Sequence, residues 1–382
     1  MKFSKLPHVG TTIFTVMSKM ASDYGAINLS QGFPGFNCYP FLMDLVSRYM
    51  KDGYNQYAPM SGVPILKQRI AEKTLISYGL TFDPEKEVTV VSGATEALFA
   101  AVTAVVNPGD EVILLEPSYD SYEPAVLLNG GVPIFVPLNM PDFSVDWDRV
   151  ASAITPKTRL IMVNTPHNPC GYVWTSADLA QLAELIADRD IYVVCDEVYE
   201  YITFDGRPHL PLMSHPLLRE RTFTCGSFGK TFHVTGWKIG YCIAPASLTE
   251  AFRKIHQFLT FSTPTPLQYA LAEFMAEPSR YQSLADFYQR KRDLFCKGLG
   301  ETPFKFVPAQ GSFFQIVSYG HLSQVADYDL SVRLCQEIGV ACIPVSVFYH
   351  DKKDHKLLRF CFAKEDEVLE KALGLLGNLR LS

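Results

Sequence analysis

The amino-acid sequence predicts an α/β fold, with a large domain built on a mainly parallel seven-stranded sheet and a smaller α+β domain. Seven short β-rich runs lie between residues 87 and 244, and stretches of helical period or polar loops separate most of them. Apolar strands joined by helices indicate a parallel sheet that is covered on both faces. The 382 residues are more than one hydrophobic core usually serves, which indicates two domains.

The predicted strands of the large domain follow one another along the chain. They are residues 88–91, 111–115, 132–136, 159–163, 191–195, 222–225 and 239–243. Between two of these strands, Leu179, Leu182, Ala183 and Ile186 recur at helical spacing. Such spacing predicts a helix with one apolar face that packs on the sheet.

The sequence changes character after Ala244. Helices are expected over 248–260, 266–275, 280–299 and 330–338 and from Glu365 onward, and strands near 304–307, 313–316, 341–343 and 357–362. We assign residues 35–280 to the large domain, and residues 1–34 together with 281–382 to the small domain. The run from Arg290 to Asp293 in the long helix carries four charges in a row and is interpreted as a solvated face.

Composition argues against several classes of partner. The net charge is −6 and no basic run of five or more occurs, so neither nucleic acid nor an anionic membrane is an expected partner. The longest apolar stretch, 97–106, is too short to span a bilayer. The first ten residues lack the apolar segment of a signal peptide.

Cysteine usage indicates a reducing compartment. The chain has nine cysteines and no C-x-x-C pair, so we expect no metal site and a cytoplasmic protein with reduced, mostly buried thiols.

Polar motifs follow five of the predicted strands. They are Ser92-Gly93-Ala94-Thr95-Glu96, Glu116-Pro117-Ser118-Tyr119, Asn164-Thr165-Pro166-His167-Asn168-Pro169-Cys170-Gly171, Asp196-Glu197-Val198-Tyr199 and Gly226-Ser227-Phe228-Gly229-Lys230. Open parallel sheets bind ligands outside the carboxyl ends of their strands. We therefore expect these side chains to meet at one edge of the sheet.

Taken singly, each motif also fits an ordinary structural role. Residues 92–95 fit a helix N-cap, and Asn168 with the following proline fits a turn. Asp196 fits either a loop acid or a buried carboxylate that needs a cationic partner. Lys230 by itself fits a surface lysine.

Together the motifs describe one ligand, pyridoxal 5′-phosphate. Its phosphate suits a helix N-terminus, its ring suits a flat aromatic side chain, and its ring nitrogen suits a buried acid. Lys230 would form the Schiff base, so that the ring becomes an electron sink for a carbanion. Lys238, eight residues later, would be a counter-charge for the phosphate.

Over nearly its whole length the chain resembles the class I and II pyridoxal-phosphate aminotransferases, which have the fold-type-I architecture. Within them it is similar to the branch of kynurenine, glutamine (transaminase K) and methionine aminotransferases. The motifs that carry the resemblance are Ser227-x-x-Lys230, Gly236-x-Lys238-x-Gly240, Asn168-Pro169-x-Gly171, Asp196-x-x-Tyr199, Tyr54-Asn55-Gln56-Tyr57 and Leu358-Arg359-Phe360-Cys361-Phe362. The chain departs from that branch at Thr95, where its members often have tyrosine.

The resemblance implies a role for each matching residue around the cofactor. Lys230 resembles the Schiff-base lysine and Asp196 the partner of the ring nitrogen, and with Tyr199 they make up the catalytic set. Tyr199 and Asn168 match residues that hydrogen-bond the phenolic oxygen of the cofactor, and Tyr119 matches an aromatic stacked on its ring. The residues that match the phosphate cradle are Ala94, Thr95, Ser227 and Lys238.

The resemblance also implies how substrate and partner are bound. Arg359 matches a clamp for the substrate carboxylate, a bidentate role that suits guanidinium geometry. Gly32, Asn168 and Phe14 are expected beside the substrate. Tyr57 matches a tyrosine that reaches the phosphate of the neighbouring subunit, which implies a homodimer with shared active sites.

The implied activity is transfer of an amino group from a neutral apolar or aromatic amino acid (methionine, phenylalanine, tyrosine, glutamine or kynurenine) to a 2-oxo acid. The segments expected to line the side-chain pocket, 10–17, 31–34, 54–60 and 258–266, contain aromatic residues but no lysine or arginine. His8 and His256 lie near them and are interpreted as surface or packing residues.

Two alternatives stay open at this point. A cysteine-conjugate or cystathionine β-lyase uses the same residues and expels a thiolate instead. A transcription regulator with an aminotransferase-like sensor needs an added DNA-binding domain, and no basic recognition helix is evident.

Overall fold

The computed structural model describes residues 4–7 and 9–380, so His8 lies outside the described residues. The strands are β1 (Ile27–Asn28), β2 (Val88–Val91), β3 (Glu111–Glu116), β4 (Val132–Pro137), β5 (Thr158–Asn164), β6 (Tyr192–Asp196), β7 (Thr222–Ser227), β8 (Gly240–Ile243), β9 (Phe314–Ser318), β10 (Val340–Ala341), β11 (Ile343–Pro344) and β12 (Leu357–Cys361). The α-helices are α1 (Ile13–Asp23), α2 (Pro40–Lys51), α3 (Pro64–Tyr78), α4 (Ala94–Val105), α5 (Tyr122–Leu128), α6 (Trp147–Ala153), α7 (Ser176–Ile186), α8 (Pro216–Arg219), α9 (Phe228–Thr231), α10 (Ala246–Leu259), α11 (Thr265–Phe274), α12 (Ser279–Gln282), α13 (Leu284–Leu299), α14 (Asp327–Arg333) and α15 (Asp366–Gly377).

The main sheet has seven strands in the order β2-β8-β7-β6-β5-β3-β4. Strands β3 to β7 run parallel to one another, while β8 is antiparallel to both β2 and β7. Each of the seven predicted strands is present, with ends that shift by at most two residues. The predicted α/β class and the mainly parallel seven-stranded sheet are confirmed.

Helices cover the sheet on both faces, as continuous apolar strands require. Helix α7 begins with a capping box formed by Thr175 and Asp178, which satisfies amides at its first turn. Its predicted apolar face, Leu179, Leu182, Ala183 and Ile186, is buried in the core beside β5 and β6. On the other face, helices α4, α5 and α10 share a core with the same strands.

The C-terminal part forms a second, antiparallel sheet in the order β11-β12-β9. Strand β1 pairs with β10, which attaches the N-terminal segment to this part of the chain. That pairing agrees with the grouping of residues 1–34 with 281–382, although the domain boundaries stay a prediction. The expected strand at 304–307 is wrong, because only Lys305 bridges to a strand there, at Ser318.

Two predicted helices differ in detail. The helix expected over 280–299 is interrupted at Ser283, which separates α12 from α13. The helix expected over 330–338 is α14, which continues into a π-helical turn, Leu334–Ile338.

The interpretation of the charge run in α13 as a solvated face is wrong for its two central residues. Arg290 and Asp293 are exposed, but Lys291 and Arg292 are 6% and 4% exposed. Arg292 donates to the carbonyl oxygen of Ala309 at 3.1 Å and lies over the ring of Phe204. Long cationic side chains bury their stems on apolar surface when their nitrogens find acceptors.

The cysteines have free thiols, as the sequence analysis expected. All nine cysteines are free, and seven of them are buried. Within residues 4–7 and 9–380, no helix has the length and apolar character needed to cross a membrane.

Arg292, which is buried within the charge run of α13, gives a test of the fold. We expect Arg292→Ala to lower the free energy of unfolding by about 2 kcal/mol, because a buried donor and its packing are lost. Arg290→Ala, on the exposed side of the same helix, is the matched control and should change it by less than about 0.5 kcal/mol. Urea unfolding at one fixed protein concentration measures both. Equal losses would contradict the assignment of Arg292 to the interior.

Candidate active site

A cavity of about 260 Å³ opens at the carboxyl ends of the main sheet, where this sheet meets the C-terminal one. The predicted site residues that line it are Phe14, Gly32, Ala94, Thr95, Tyr119, Asn168, Asp196, Tyr199, Ser227, Lys230, Lys238 and Arg359. Tyr57, the remaining predicted residue, does not line it and is 84% exposed. The expectation that the strand-end motifs meet at one edge is met by this geometry.

The register of the parallel strands explains the convergence. Asn164, the last residue of β5, pairs with Asp196, the last residue of β6, and Asp196 pairs with Cys225 of β7. Parallel strands in register end together, so the residues that follow them share one edge. Strand β12 of the second sheet then brings Arg359 to the same cavity.

Asp196 is a buried carboxylate held by specific donors. Its Oδ2 accepts a hydrogen bond from the hydroxyl of Tyr122 at 2.7 Å, and its Oδ1 accepts from the amide of Val198 at 3.3 Å. Burial raises the pKa of Asp196 to about 6, although the hydrogen bonds from Tyr122 and Val198 and the charge of Lys230 act in the opposite direction. The carboxylate is therefore largely ionised at neutral pH and available to a cationic group.

Lys230 lies in the one-turn helix α9, directly after β7, and its amine points into the cavity. The Nζ atom donates to the carbonyl oxygen of Gly32 at 2.7 Å and lies 5.1 Å from the ring centre of Phe313. Burial disfavours the ammonium form and lowers the pKa of Lys230 to about 8. Above that pH the amine is mostly neutral and nucleophilic, unlike a surface lysine.

Arg359 is 1% exposed and is held by two oxygen acceptors. Its Nη1 donates to Oδ1 of Asn168 and its Nη2 to the carbonyl oxygen of Ser30, each at 2.9 Å. Its Nε has no hydrogen-bond partner among the described residues. Burial lowers the pKa of Arg359 to about 10, so the guanidinium remains charged at neutral pH. A buried, incompletely paired guanidinium is suited to bind a carboxylate.

The first turn of α4 presents free amides at the cavity. The backbone amides of Ala94 and Thr95 donate to no acceptor among the described residues, as expected for the first positions of a helix. Lys238 has left-handed backbone geometry, with φ of 51°, and its amine lies beside Gly93. A Cβ at Gly93 would come within 3.3 Å of the Lys238 Nζ, so glycine leaves room for the amine there.

These observations fit pyridoxal 5′-phosphate. The free amides and Lys238 suit its phosphate, since a helix N-terminus attracts anions. Asp196 suits its ring nitrogen and the Lys230 amine suits its aldehyde. Tyr119, partly exposed in the cavity, offers a ring face, and its ring lies 5.8 Å from that of Tyr122. Among the described residues, no cluster of three or more potential metal ligands is present.

Two residues that shape this site, Tyr122 and Asn164, were assigned no role from the sequence. Tyr122 holds Asp196, and the spacing Tyr119-x-x-Tyr122 after a predicted strand was the available signal. Asn164 accepts from the amide of Asn168 at 2.6 Å and donates to the carbonyl oxygen of Asp196 at 2.7 Å. Its position as the last residue of a strand was the signal in that case.

Comparison with known proteins agrees with the site. Residues 24–376 match the family described as aminotransferase class I and II. The chain is 49% identical over 377 residues to the methionine aminotransferase of Escherichia coli (strain K12), and the alignment covers 98% of each chain. It is 36% identical over 411 residues to the kynurenine–oxoglutarate transaminase of Dictyostelium discoideum, covering 97% of this chain and 94% of that one.

A solved structure shows the same fold. The crystal structure of an Escherichia coli protein identified as having a methionine aminotransferase function superposes with a TM-score of 0.96, at 49% identity, over 98% of this chain and 99% of that chain. With the match to the family over most of its length, the chain belongs to the class I and II aminotransferases, which depend on pyridoxal 5′-phosphate.

Proposed function

We propose that this aminotransferase acts on neutral apolar or aromatic amino acids, with methionine and kynurenine as the leading candidates, and passes the amino group to a 2-oxo acid. The observation that carries the proposal is the surroundings of Arg359. Its guanidinium carbon lies 4.0 Å from the ring centre of Phe314, 5.1 Å from that of Phe348 and 5.3 Å from that of Phe14. The two relatives named above act on methionine and kynurenine.

Each site residue would have a separate role around the cofactor. When bound, pyridoxal 5′-phosphate supplies an electron sink that weakens the bonds to the α-carbon of the amino acid. Asp196, ionised at neutral pH, would hold a proton at the ring nitrogen, and Lys238 with the Ala94 and Thr95 amides would hold the phosphate. Arg359 would orient the substrate carboxylate. Lys230 would remove the α-proton through its Nζ and return it, a role for which its lowered pKa suits it.

The covalent role of Lys230 can be mapped directly. After borohydride reduction of the cofactor-loaded enzyme, we expect the pyridoxyl group on the peptide that contains Lys230. Lys230→Ala should lower the transamination rate by at least about a hundredfold, since one positioned acid–base group contributes that much or more. Lys238→Ala is the matched control and should still carry the label at Lys230. A label on Lys238 would refute the assignment.

The cavity offers one cation for a substrate carboxylate. The cations that line it among the described residues are Lys230, Lys238 and Arg359. The first two are assigned to the cofactor, which leaves Arg359 for the α-carboxylate. A second carboxylate on the substrate side chain would be buried without a partner, at a cost of several kcal/mol. The aromatic rings around Arg359 instead favour a long neutral side chain, and a thioether packs well against such rings.

We therefore expect methionine or an aromatic donor to give a kcat/KM at least about tenfold above that of aspartate, a difference of about 1.4 kcal/mol. Both donors are measured against one shared 2-oxo acid. Arg359→Gln serves as the control, because it removes a contact that every α-amino acid makes. It should lower both values while leaving their ratio within about twofold. A preference for aspartate would overturn the proposed substrate class but not the aminotransferase assignment.

We also propose a homodimer whose active sites are shared. Tyr57 and Phe258 are 84% and 87% exposed, and Phe261 is partly exposed with its ring 5.4 Å from that of Tyr57. Adjacent exposed aromatics of this size commonly mark an interface with another protein surface. A second copy placed there would bury them and bring Tyr57 to the phosphate of the neighbouring site, as the family resemblance implies.

Mixing two defective chains tests the shared site. Lys230→Ala and Tyr57→Ala chains, each impaired by itself, should recover about a quarter of wild-type activity after random exchange, because half the dimers are hybrids with one intact site. Mixing Lys230→Ala with Asp196→Ala is the matched control. It should restore nothing, since both residues line the cavity of the same chain. Recovery in the control, or none in the first mixture, would contradict the proposal.

We propose a cytoplasmic location. The nine free cysteines support it, since thiols persist as free groups in reducing compartments.

A further inference from the structure

A buried histidine–glutamate pair lies directly behind the proposed phosphate site. His256, near the end of α10, is 0% exposed, and Glu96, in the first turn of α4, is 8% exposed. The Nδ1 atom of His256 is 2.5 Å from Oε1 of Glu96. Its Nε2 atom is 2.9 Å from the carbonyl oxygen of Met60. The ring therefore contacts a polar acceptor through each of its nitrogens.

The chemistry of these acceptors determines where protons lie. The carbonyl oxygen of Met60 only accepts, so Nε2 of His256 must carry a hydrogen. If Nδ1 also carries one, the ring is a cation beside the Glu96 carboxylate. If Nδ1 carries none, Glu96 must be protonated to form the observed contact. In both cases the pair holds one shared proton, and its net charge is zero.

Glu96 occupies a position where a free negative charge would interfere with an anion. Its Oε2 accepts from the backbone amide of Ser92, just before the helix begins. The amides of Ala94 and Thr95 in the same turn are those proposed to hold the cofactor phosphate. An acidic side chain in the first turn is attracted to the same positive helix end as a phosphate. An uncompensated Glu96 would therefore repel the phosphate and compete with it.

We propose that His256 is a positioning residue that neutralises Glu96 and so keeps the N-terminus of α4 positive for the phosphate of the cofactor. The proposal rests on the proposed role of Ala94 and Thr95 in phosphate binding. His256 does not line the cavity and acts through the carboxylate of Glu96. The sequence interpretation of His256 as a surface or packing residue is correct about packing, but it misses this electrostatic role.

The same histidine connects the helix end to the segment that carries Tyr57. Residues 56–60 are attached to 256–265 by a series of contacts. These are Thr265 Oγ1 to the carbonyl oxygen of Gln56, the ring of Phe261 on that of Tyr57, Ser262 Oγ to the carbonyl oxygen of Ala58, and His256 to that of Met60. A glutamine at position 256 can reach the position of Nε2 and keep the Met60 bond. It has no ring nitrogen beside Glu96, so it removes the proton-sharing partner alone.

The test compares cofactor affinity in the wild-type chain, a single variant and a double variant. Dissociation constants of pyridoxal 5′-phosphate and of unphosphorylated pyridoxal are measured by absorption titration of the cofactor-free full-length chain. We expect His256→Gln to weaken binding of the phosphate form at least about tenfold and that of pyridoxal by less than twofold. The double variant His256→Gln/Glu96→Gln should bind the phosphate form at least about fivefold more tightly than His256→Gln, because the uncompensated charge is gone.

Several outcomes would overturn the proposal. Equal weakening for both ligands, or a double variant no better than His256→Gln, indicates a role in packing alone. If His256→Gln does not fold, the double variant decides: affinity within about threefold of wild type supports the proposal, and a tenfold loss confined to the phosphate form overturns it. His350→Gln is the matched control, because it breaks another histidine–glutamate contact, 2.8 Å to Glu123, in which neither residue belongs to α4. It should leave the affinity within about twofold. A wild-type chain that binds no pyridoxal 5′-phosphate would contradict the proposed function instead.

Discussion

Burial of charge at one end of the main sheet is the constraint on which the rest of this structure depends. Arg359, Lys230 and Asp196 line one cavity. Burial lowers the pKa of the two cations and raises that of the carboxylate, so in each case it favours the neutral form. Charged groups out of water are retained only where hydrogen bonds and opposite charges compensate them. The cavity therefore needs its backbone acceptors, its tyrosines and finally an anionic ligand, because its cations outnumber its single lining carboxylate.

Three parts of the chain must meet to satisfy this constraint. The N-terminal segment supplies two carbonyl oxygens. That of Gly32 accepts a hydrogen bond from Lys230, and that of Ser30 accepts one from Arg359. The loop after β5 of the main sheet supplies Asn168, whose Oδ1 accepts from Arg359 of the second sheet. One guanidinium thus connects the N-terminal segment, the main sheet and the C-terminal sheet. The position of the Arg359 guanidinium is consequently a property of how these three parts pack together.

Buried charges are also balanced outside the cavity. Behind it, Glu200 accepts hydrogen bonds from Lys73 and Tyr241, so the residue next to Tyr199 in the chain is held by a buried ion pair. Behind α4, His256 plays the corresponding part for Glu96. In both places a buried carboxylate adjoins a residue of the site, and a cation or a shared proton balances it. At these two places the charge beside the site is balanced, while the cavity itself is lined by more cations than carboxylates.

Local features of the sequence were sufficient to predict the strands of the main sheet and the polar motifs at their ends, because strand propensity and periodicity act between near neighbours. The parallel order of the strands then required those motifs to meet. Local features did not predict that Arg292 is buried, that Tyr122 holds Asp196, or that His256 joins Glu96 to Met60. Each depends on a partner far away in the chain, and burial of a charge is decided by the partners it finds. Most residues that line the cavity could thus be named from local sequence, whereas the compensation of each buried charge depends on distant partners that meet only in the folded chain.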